Sequence, residues 1–287
     1  MTPLETLLAT TLGQPVPPEI TAMAAHVAGR HGDVLAVLAY GSCLRGVATS
    51  ESLIDLYVLT RDLRGVSRNI VSRIGCRLAP PNVYYAECDW NGRRYRAKYA
   101  VLPIDLFHRW MTADNPYFWA RFSQPSALVH AADETSRRTV IAAVAAAART
   151  MFAHARALAP PTDEELAVWT AGFRATYGTE LRAESGGTRA AHVVEANAGY
   201  YRALSDQLAG TAPLHANWAW RSFTGKLWAA TRLIKASFTF AGGADYLVWK
   251  IARHTGHKIT LTAWQRRHPV IAGLILLPRL LRRGTVK

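Results

Sequence analysis

Short apolar runs separated by polar turns fill the first third of the chain, and helical spacing takes over beyond it. Val34 to Tyr40 and Ile54 to Thr60 are almost unbroken apolar stretches of strand length, the pattern of strands buried on both faces. Asn82–Glu87 and Arg94–Leu102 read as two further strands. Between them lies Asp89-Trp90-Asn91-Gly92, whose Asn-Gly pair marks a hairpin. Residues 1–32 carry helical spacing with a proline-rich break at Pro15 to Pro18 and a stop at Gly32. Leu63–Arg77 also has helical character, as does Ile104–Phe122 with its aromatics Phe107, Trp110, Tyr117, Phe118 and Trp119. From Glu134 to Leu158 the chain is alanine-rich and free of helix breakers, which predicts one long helix. Thr162-Asp163-Glu164-Glu165 supplies an N-cap signature for another, and helical spacing continues to Leu208 apart from a loop at Ser185-Gly186-Gly187.

These patterns predict an α+β protein: a mixed sheet with helices, then a mainly α-helical domain, then a basic C-terminal tail. The boundaries fall at residues 1–124, 125–215 and 216–287. The last region mixes aromatic and basic residues, with Trp218, Trp220, Trp228 and Trp249 among Arg221, Lys226, Arg232, Lys235 and Lys250.

Charge narrows the partners. Among 287 residues, 34 Lys and Arg stand against 20 Asp and Glu, a net charge of +14 that favours a nucleotide, a nucleic acid or an acidic membrane surface. Cys43, Cys76 and Cys88 have no metal-ligand spacing and read as reduced thiols in a core. The ten histidines are scattered without metal spacing, His254 and His257 lying on a basic stretch. Neither a signal peptide nor a transit peptide is apparent, and no apolar run approaches the ~20 residues of a transmembrane helix. Val270 to Leu277, cut by Pro278 and followed by Arg279, Arg282 and Arg283, has the composition of an interfacial anchor. A peripheral membrane protein on a cytoplasmic face is therefore expected.

Candidate chemistry gathers at the first two strands. The first delivers Tyr40-Gly41-Ser42, where a glycine lets backbone N–H groups approach a phosphate and a serine adds a donor. The second carries Asp55, an acid able to hold the divalent metal that accompanies a nucleoside triphosphate. This is the layout of a nucleotidyltransferase core. The usual pattern has a second acid two residues earlier, and here that position is Leu53. Lys98 sits inside an apolar strand, where a lysine must snorkel outward or meet an anion; contact with a triphosphate is the expectation. Asp105, just past that strand, is a runner-up acid better suited to an N-cap.

The single acid is itself part of a resemblance. Tyr40-Gly41-Ser42 with Leu53-Ile54-Asp55-Leu56 resembles the mitochondrial translocator maintenance family, the phosphatidate cytidylyltransferases of the nucleotidyltransferase superfamily, in a bacterial-type member. That family pairs Tyr-Gly-Ser with a single-acid strand. Asn82-Val83-Tyr84-Tyr85 looks like its Val-Tyr-Tyr strand, and Ala97-Lys98-Tyr99-Ala100-Val101 like its Ile-Lys-Tyr-Gly-Val strand. Phe118 to Pro125 is similar to a Leu-Tyr-x-Ala-Gly-Arg-x-x-Lys-Pro segment, with Gln124 in place of Lys. Lys235 to Gly242, with Tyr246 and Lys250, is like its Lys-Gly-Ile-Phe-Thr-Ala-Gly element. Tyr177-Gly178-Thr179-Glu180-Leu181-Arg182 resembles its Gly-Asp-Phe-Arg segment, setting Glu180 against the acid and Arg182 against the arginine.

The resemblance implies a Mg²⁺-dependent enzyme that transfers CMP from CTP to phosphatidic acid, giving CDP-diacylglycerol and pyrophosphate. It assigns Asp55, Lys98 and Glu180 to catalysis and Gly41, Ser42, Lys98 and Arg182 to the nucleotide, with Asp55 and Glu180 at the metal. Glu180 and Arg182 alternatively form a surface ion pair, and Glu180 alternatively contacts base or ribose. The expected partners are CTP, phosphatidic acid and an anionic membrane surface, with no nucleic acid. Two other readings stand beside this one: a nucleotidyltransferase acting on a small soluble acceptor, and a non-catalytic basic module that binds membrane or nucleic acid.

Overall fold

The computed structural model describes residues 1–45, 53–159, 164, 166–180, 186–239 and 262. Two helices come first, α1 (Pro3–Leu12) and α2 (Pro18–Ala28), each opened by a proline where its missing N–H has no helical partner to lose. Thr2 and Glu5 close a reciprocal capping box on α1. Strands β1 (Val34–Tyr40) and β2 (Leu53–Thr60) follow, with a 3-10 turn at Gly41–Arg45 leaving β1. The helical stretch after β2 divides into α3 (Leu63–Val66) and α4 (Ile70–Leu78) because Asp62 and Asn69 each cap a separate start.

Strands β3 (Asn82–Trp90) and β4 (Arg93–Pro103) form the expected hairpin. Its turn residues Asn91 and Gly92 both have positive φ, at 48° and 71°, as a twist-matched two-residue turn requires. Then come α5 (Ile104–Arg109), α6 (Trp119–Phe122) and β5 (Ser126–Ala131). The sequence reading does not foresee β5, whose Ser-Ala-Leu-Val-His-Ala offers too short an apolar run to register as a strand. It lies beyond residue 124, so the sheet draws on residues from both sides of that boundary.

The sheet order is β3-β4-β2-β1-β5, with β2 and β4 parallel and every other neighbouring pair antiparallel. It is the mixed sheet of an α+β protein. On one face, His31, just beyond α2, meets Tyr84 and Tyr99. On the other, Tyr57 of β2 packs edge-on against Phe118 and Phe122, at the start and end of α6, and tilted against Phe107 of α5.

The alanine-rich segment forms α7 (Glu134–Arg156), capped by Asp133 through Ser136 N at 2.6 Å. Four more helices complete the described chain: α8 (Ala167–Tyr177), α9 (Gly186–Glu195), α10 (Ala198–Leu208) and α11 (Trp218–Thr239). Gly186 and Gly187 open α9 instead of forming a loop, at positions whose N–H groups need no helical acceptor. Gly172 lets α8 approach α7 closely, since a β-carbon there would stand 2.7 Å from Ala155 Cβ. A network centred on buried Arg221 ties α11 to this layer: Arg221 pairs with exposed Asp114 at 2.7 Å and donates to His154 Nε2 at 3.0 Å. Nδ1 of His154 must then carry the proton, which it donates to the carbonyl of Leu214 at 2.7 Å.

Candidate active site

One rung of the sheet carries the sequence-predicted residues. Tyr40 pairs with Asp55, Asp55 with Lys98, and Lys98 with Tyr85, so these side chains share a face of three adjacent strands and the next. Period-two alternation on β2 puts Leu53 on the same face as Asp55, the position a second strand acid would hold. Gly41 follows at φ +84°, a conformation few L-residues adopt, and a β-carbon there would sit 3.6 Å from Asp55 Oδ2. The glycine thus keeps the backbone open beside the carboxylate. Ser42 is exposed.

Asp55 is only partly exposed. Burial raises its pKa, while Lys98, then Arg121, and a hydrogen bond from Tyr40 pull the other way without winning. A carboxylate in that state gains from a cation brought to it.

Helices supply the rest of the site. Arg121 of α6 lies over the Tyr40 ring at 5.0 Å and over the Tyr117 ring at 4.9 Å. Arg232 of α11 lies over Tyr117 at 3.8 Å. Burial works against the Tyr117 phenolate, yet Arg121, Arg232 and Lys98 together draw its pKa below the usual tyrosine value. Burial also lowers the pKa of Arg232, with the like charge of Arg121 adding to the effect and Tyr117 opposing it. Arg121 Nε and both Nε and Nη2 of Arg232 are buried with no hydrogen-bond partner among the described residues. Guanidinium groups held this way are short of acceptors, and an anion would supply them.

Glu180 belongs to the same cluster. It follows α8 and acts on both Arg121 and Arg232. Its place is fixed from α11: Ser222 Oγ donates to Gly178 O at 2.9 Å, and Gly225 abuts Thr179 so tightly that a β-carbon would lie 2.7 Å from the Thr179 carbonyl oxygen. The charges that act most on Asp55 are Lys98 and Arg121. Among the described residues no three His, Cys, Asp or Glu converge as a metal site. Arg182 lies outside the described residues, as do Tyr246, Lys250, His254, His257 and the apolar run from Val270.

Asp105 does not cap α5, which Pro103 precedes; it stands exposed within the first turn, paired with Arg109 at 2.9 Å. Sequence reasoning missed Tyr117, Arg121 and Arg232 as site residues. Arg121 within Phe118-Trp119-Ala120-Arg121-Phe122 is, like Lys98, a cation set in an apolar run and equally in need of an anion. Nothing comparable marks Arg232 among the other bases of α11.

No family model matches this chain, and no curated protein does. Among solved structures it is similar to a nucleotidyltransferase-like protein from Exiguobacterium sibiricum 255-15 at 12% identity. The likeness covers 93% of this chain and 91% of the other, with a TM-score of 0.26, too slight to build on. No helix among the described residues is long and apolar enough to cross a membrane.

Proposed function

We propose that this protein is a Mg²⁺-dependent cytidylyltransferase that moves CMP from CTP to phosphatidic acid. The observation that carries the reading is the row of Tyr40, Asp55 and Lys98 beside Gly41, faced by two guanidinium groups with unsatisfied nitrogens. A partly buried carboxylate whose charge is disfavoured suits a divalent ion, and Mg²⁺ is commonly held by one or two carboxylates together with substrate phosphates. Asp55 is the residue that would hold it; Glu180, which acts on Arg121 and Arg232, is the candidate to join. When bound, Mg²⁺ neutralises charge developing on the transferring phosphoryl group.

The chain's own residues do the positioning. The open backbone at Gly41 and the Ser42 hydroxyl receive phosphate oxygens, and Lys98 supplies a point charge on the triphosphate side of Asp55. Arg121 and Arg232 bring more positive charge than a metal-bound triphosphate needs, which supports an acceptor that is itself anionic. Phosphatidic acid is a phosphate monoester whose second pKa lies near ~6, so its oxygen is largely deprotonated at neutral pH. That oxygen attacks the α-phosphorus of CTP, the bond from α-phosphorus to the bridging oxygen breaks, and pyrophosphate leaves with the electron pair. No general base is required, which relaxes the demand for two neighbouring carboxylates and permits Leu53 where a second strand acid would stand.

Radiolabelled CTP, Mg²⁺ and phosphatidate-containing liposomes test the reading. A cytidine-labelled lipid is the expected product. Label transferred only to soluble acceptors would replace the lipid with a small molecule, and salt-sensitive RNA binding without turnover would leave a non-catalytic module.

A further inference from the structure

We infer that the exposed faces of α4 and α11 form a docking surface for an anionic phospholipid bilayer. Helix α4 is turned inside out relative to an ordinary surface helix. Its inward positions are small or polar: Ser72 and Cys76 are buried, and Asn82 Nδ2 donates to the Ser72 carbonyl at 3.0 Å and hydroxyl at 2.9 Å. Its large apolar residues Ile70, Val71, Ile74 and Leu78 are each more than half exposed. Helix α11 repeats the feature with Trp220, Phe223 and Leu227, spaced three and four apart on one face. Lys235 pins the two helices together by donating to the carbonyls of Gly75, Ala79 and Pro81.

Charge identifies the occupant. Residues 63–86 contain Arg64, Arg68, Arg73 and Arg77 and no acid, and residues 207–239 contain no acid either. Apolar side chains set among arginines, with the exposed Trp220 beside them on α11, match the interfacial zone of an anionic membrane. A second copy of this surface would bring like charges together. The chain's own residues 240–287 are no better matched, with nine Lys and Arg against the single acid Asp245. Because the surface lies on elements that carry neither Asp55 nor Lys98, it stands whether or not the transfer reaction is the one proposed above.

The test uses the full chain and sedimentation with vesicles of phosphatidylcholine, with or without phosphatidylglycerol, an anionic lipid lacking the phosphate monoester. The wild type should bind the anionic vesicles and release them as salt rises. The double variant Ile74→Asp with Phe223→Asp should bind at least roughly tenfold more weakly with an unchanged melting temperature; Ile70→Asp serves in its place if that variant is unstable. Asp55→Asn should bind as the wild type does, which separates this surface from the transfer site. Failure of the wild type to bind, binding unchanged by the substitutions, or loss of a dimer with vesicle binding intact would each overturn the inference.

Discussion

The site has two halves that are built differently. Its strand half, Tyr40, Asp55 and Lys98, lies on one rung of neighbouring strands, where the hydrogen-bonded ladder sets side-chain placement. Its helix half, Tyr117, Arg121, Glu180 and Arg232, is assembled from positions more than a hundred residues apart and depends on α11 docking through Gly225 and Ser222. The strand half carries a carboxylate whose charge is disfavoured; the helix half carries guanidinium nitrogens in want of acceptors. Each is in deficit alone, and a metal–triphosphate with an anionic acceptor would satisfy both. Under the proposed reaction, one half would specify the metal and nucleotide and the other the acceptor, so damage to each should read out differently.

The largest effect should come from Asp55→Asn, which keeps the shape and removes the charge. Turnover is expected to fall on the order of 10²–10³-fold in a purified assay. Stability should move the opposite way. With its folded pKa raised, Asp55 stabilises the protein while protonated, and that stability is lost as pH climbs from the ordinary 3.8 through the raised folded value. Thermal unfolding should therefore find the variant gaining on the wild type across that window, and a constant difference would argue against a strained carboxylate.

Arg232→Ala ranks next. It should raise KM for the phosphate acceptor by on the order of 10–100-fold with CTP affinity nearly unchanged, as the loss of a charge-assisted contact does. Arg232→Lys should recover part of the loss, because a point charge does not replace a planar fork. Steady-state kinetics with each substrate varied decides it; an equal loss toward CTP would erase the division between the halves.

Gly225→Ala should have a smaller effect. Its new methyl meets backbone at Thr179, a mild overpacking that costs about 1–3 kcal/mol. Calorimetry should show a lower melting temperature, and kinetics a weakening toward the acceptor like that of Arg232→Ala. A variant that instead lost its response to Mg²⁺ would place α11 with the strand half.

The same division governs what the sequence discloses. Strands announce themselves locally, so Val34 to Tyr40, Ile54 to Thr60 and the Asn91-Gly92 hairpin are legible, and with them Gly41, Asp55 and Lys98. β5 is not, because its strand character comes from pairing with β1 and not from its own short apolar run. Arg121 is half legible, a cation in an aromatic run. Arg232 is one base among several on α11, and only helix docking separates it from Lys226, which faces solvent. The outward apolar residues of α4 read as an ordinary amphipathic helix until the structure shows which face is buried.

Equilibrium binding of CTP, with and without Mg²⁺, to the wild type and to Asp55→Asn bears most directly on the claim that a lone strand carboxylate seats the metal. Mg²⁺ should tighten CTP binding to the wild type and leave the variant unmoved. Equal tightening in both proteins, or none in the wild type, would contradict it.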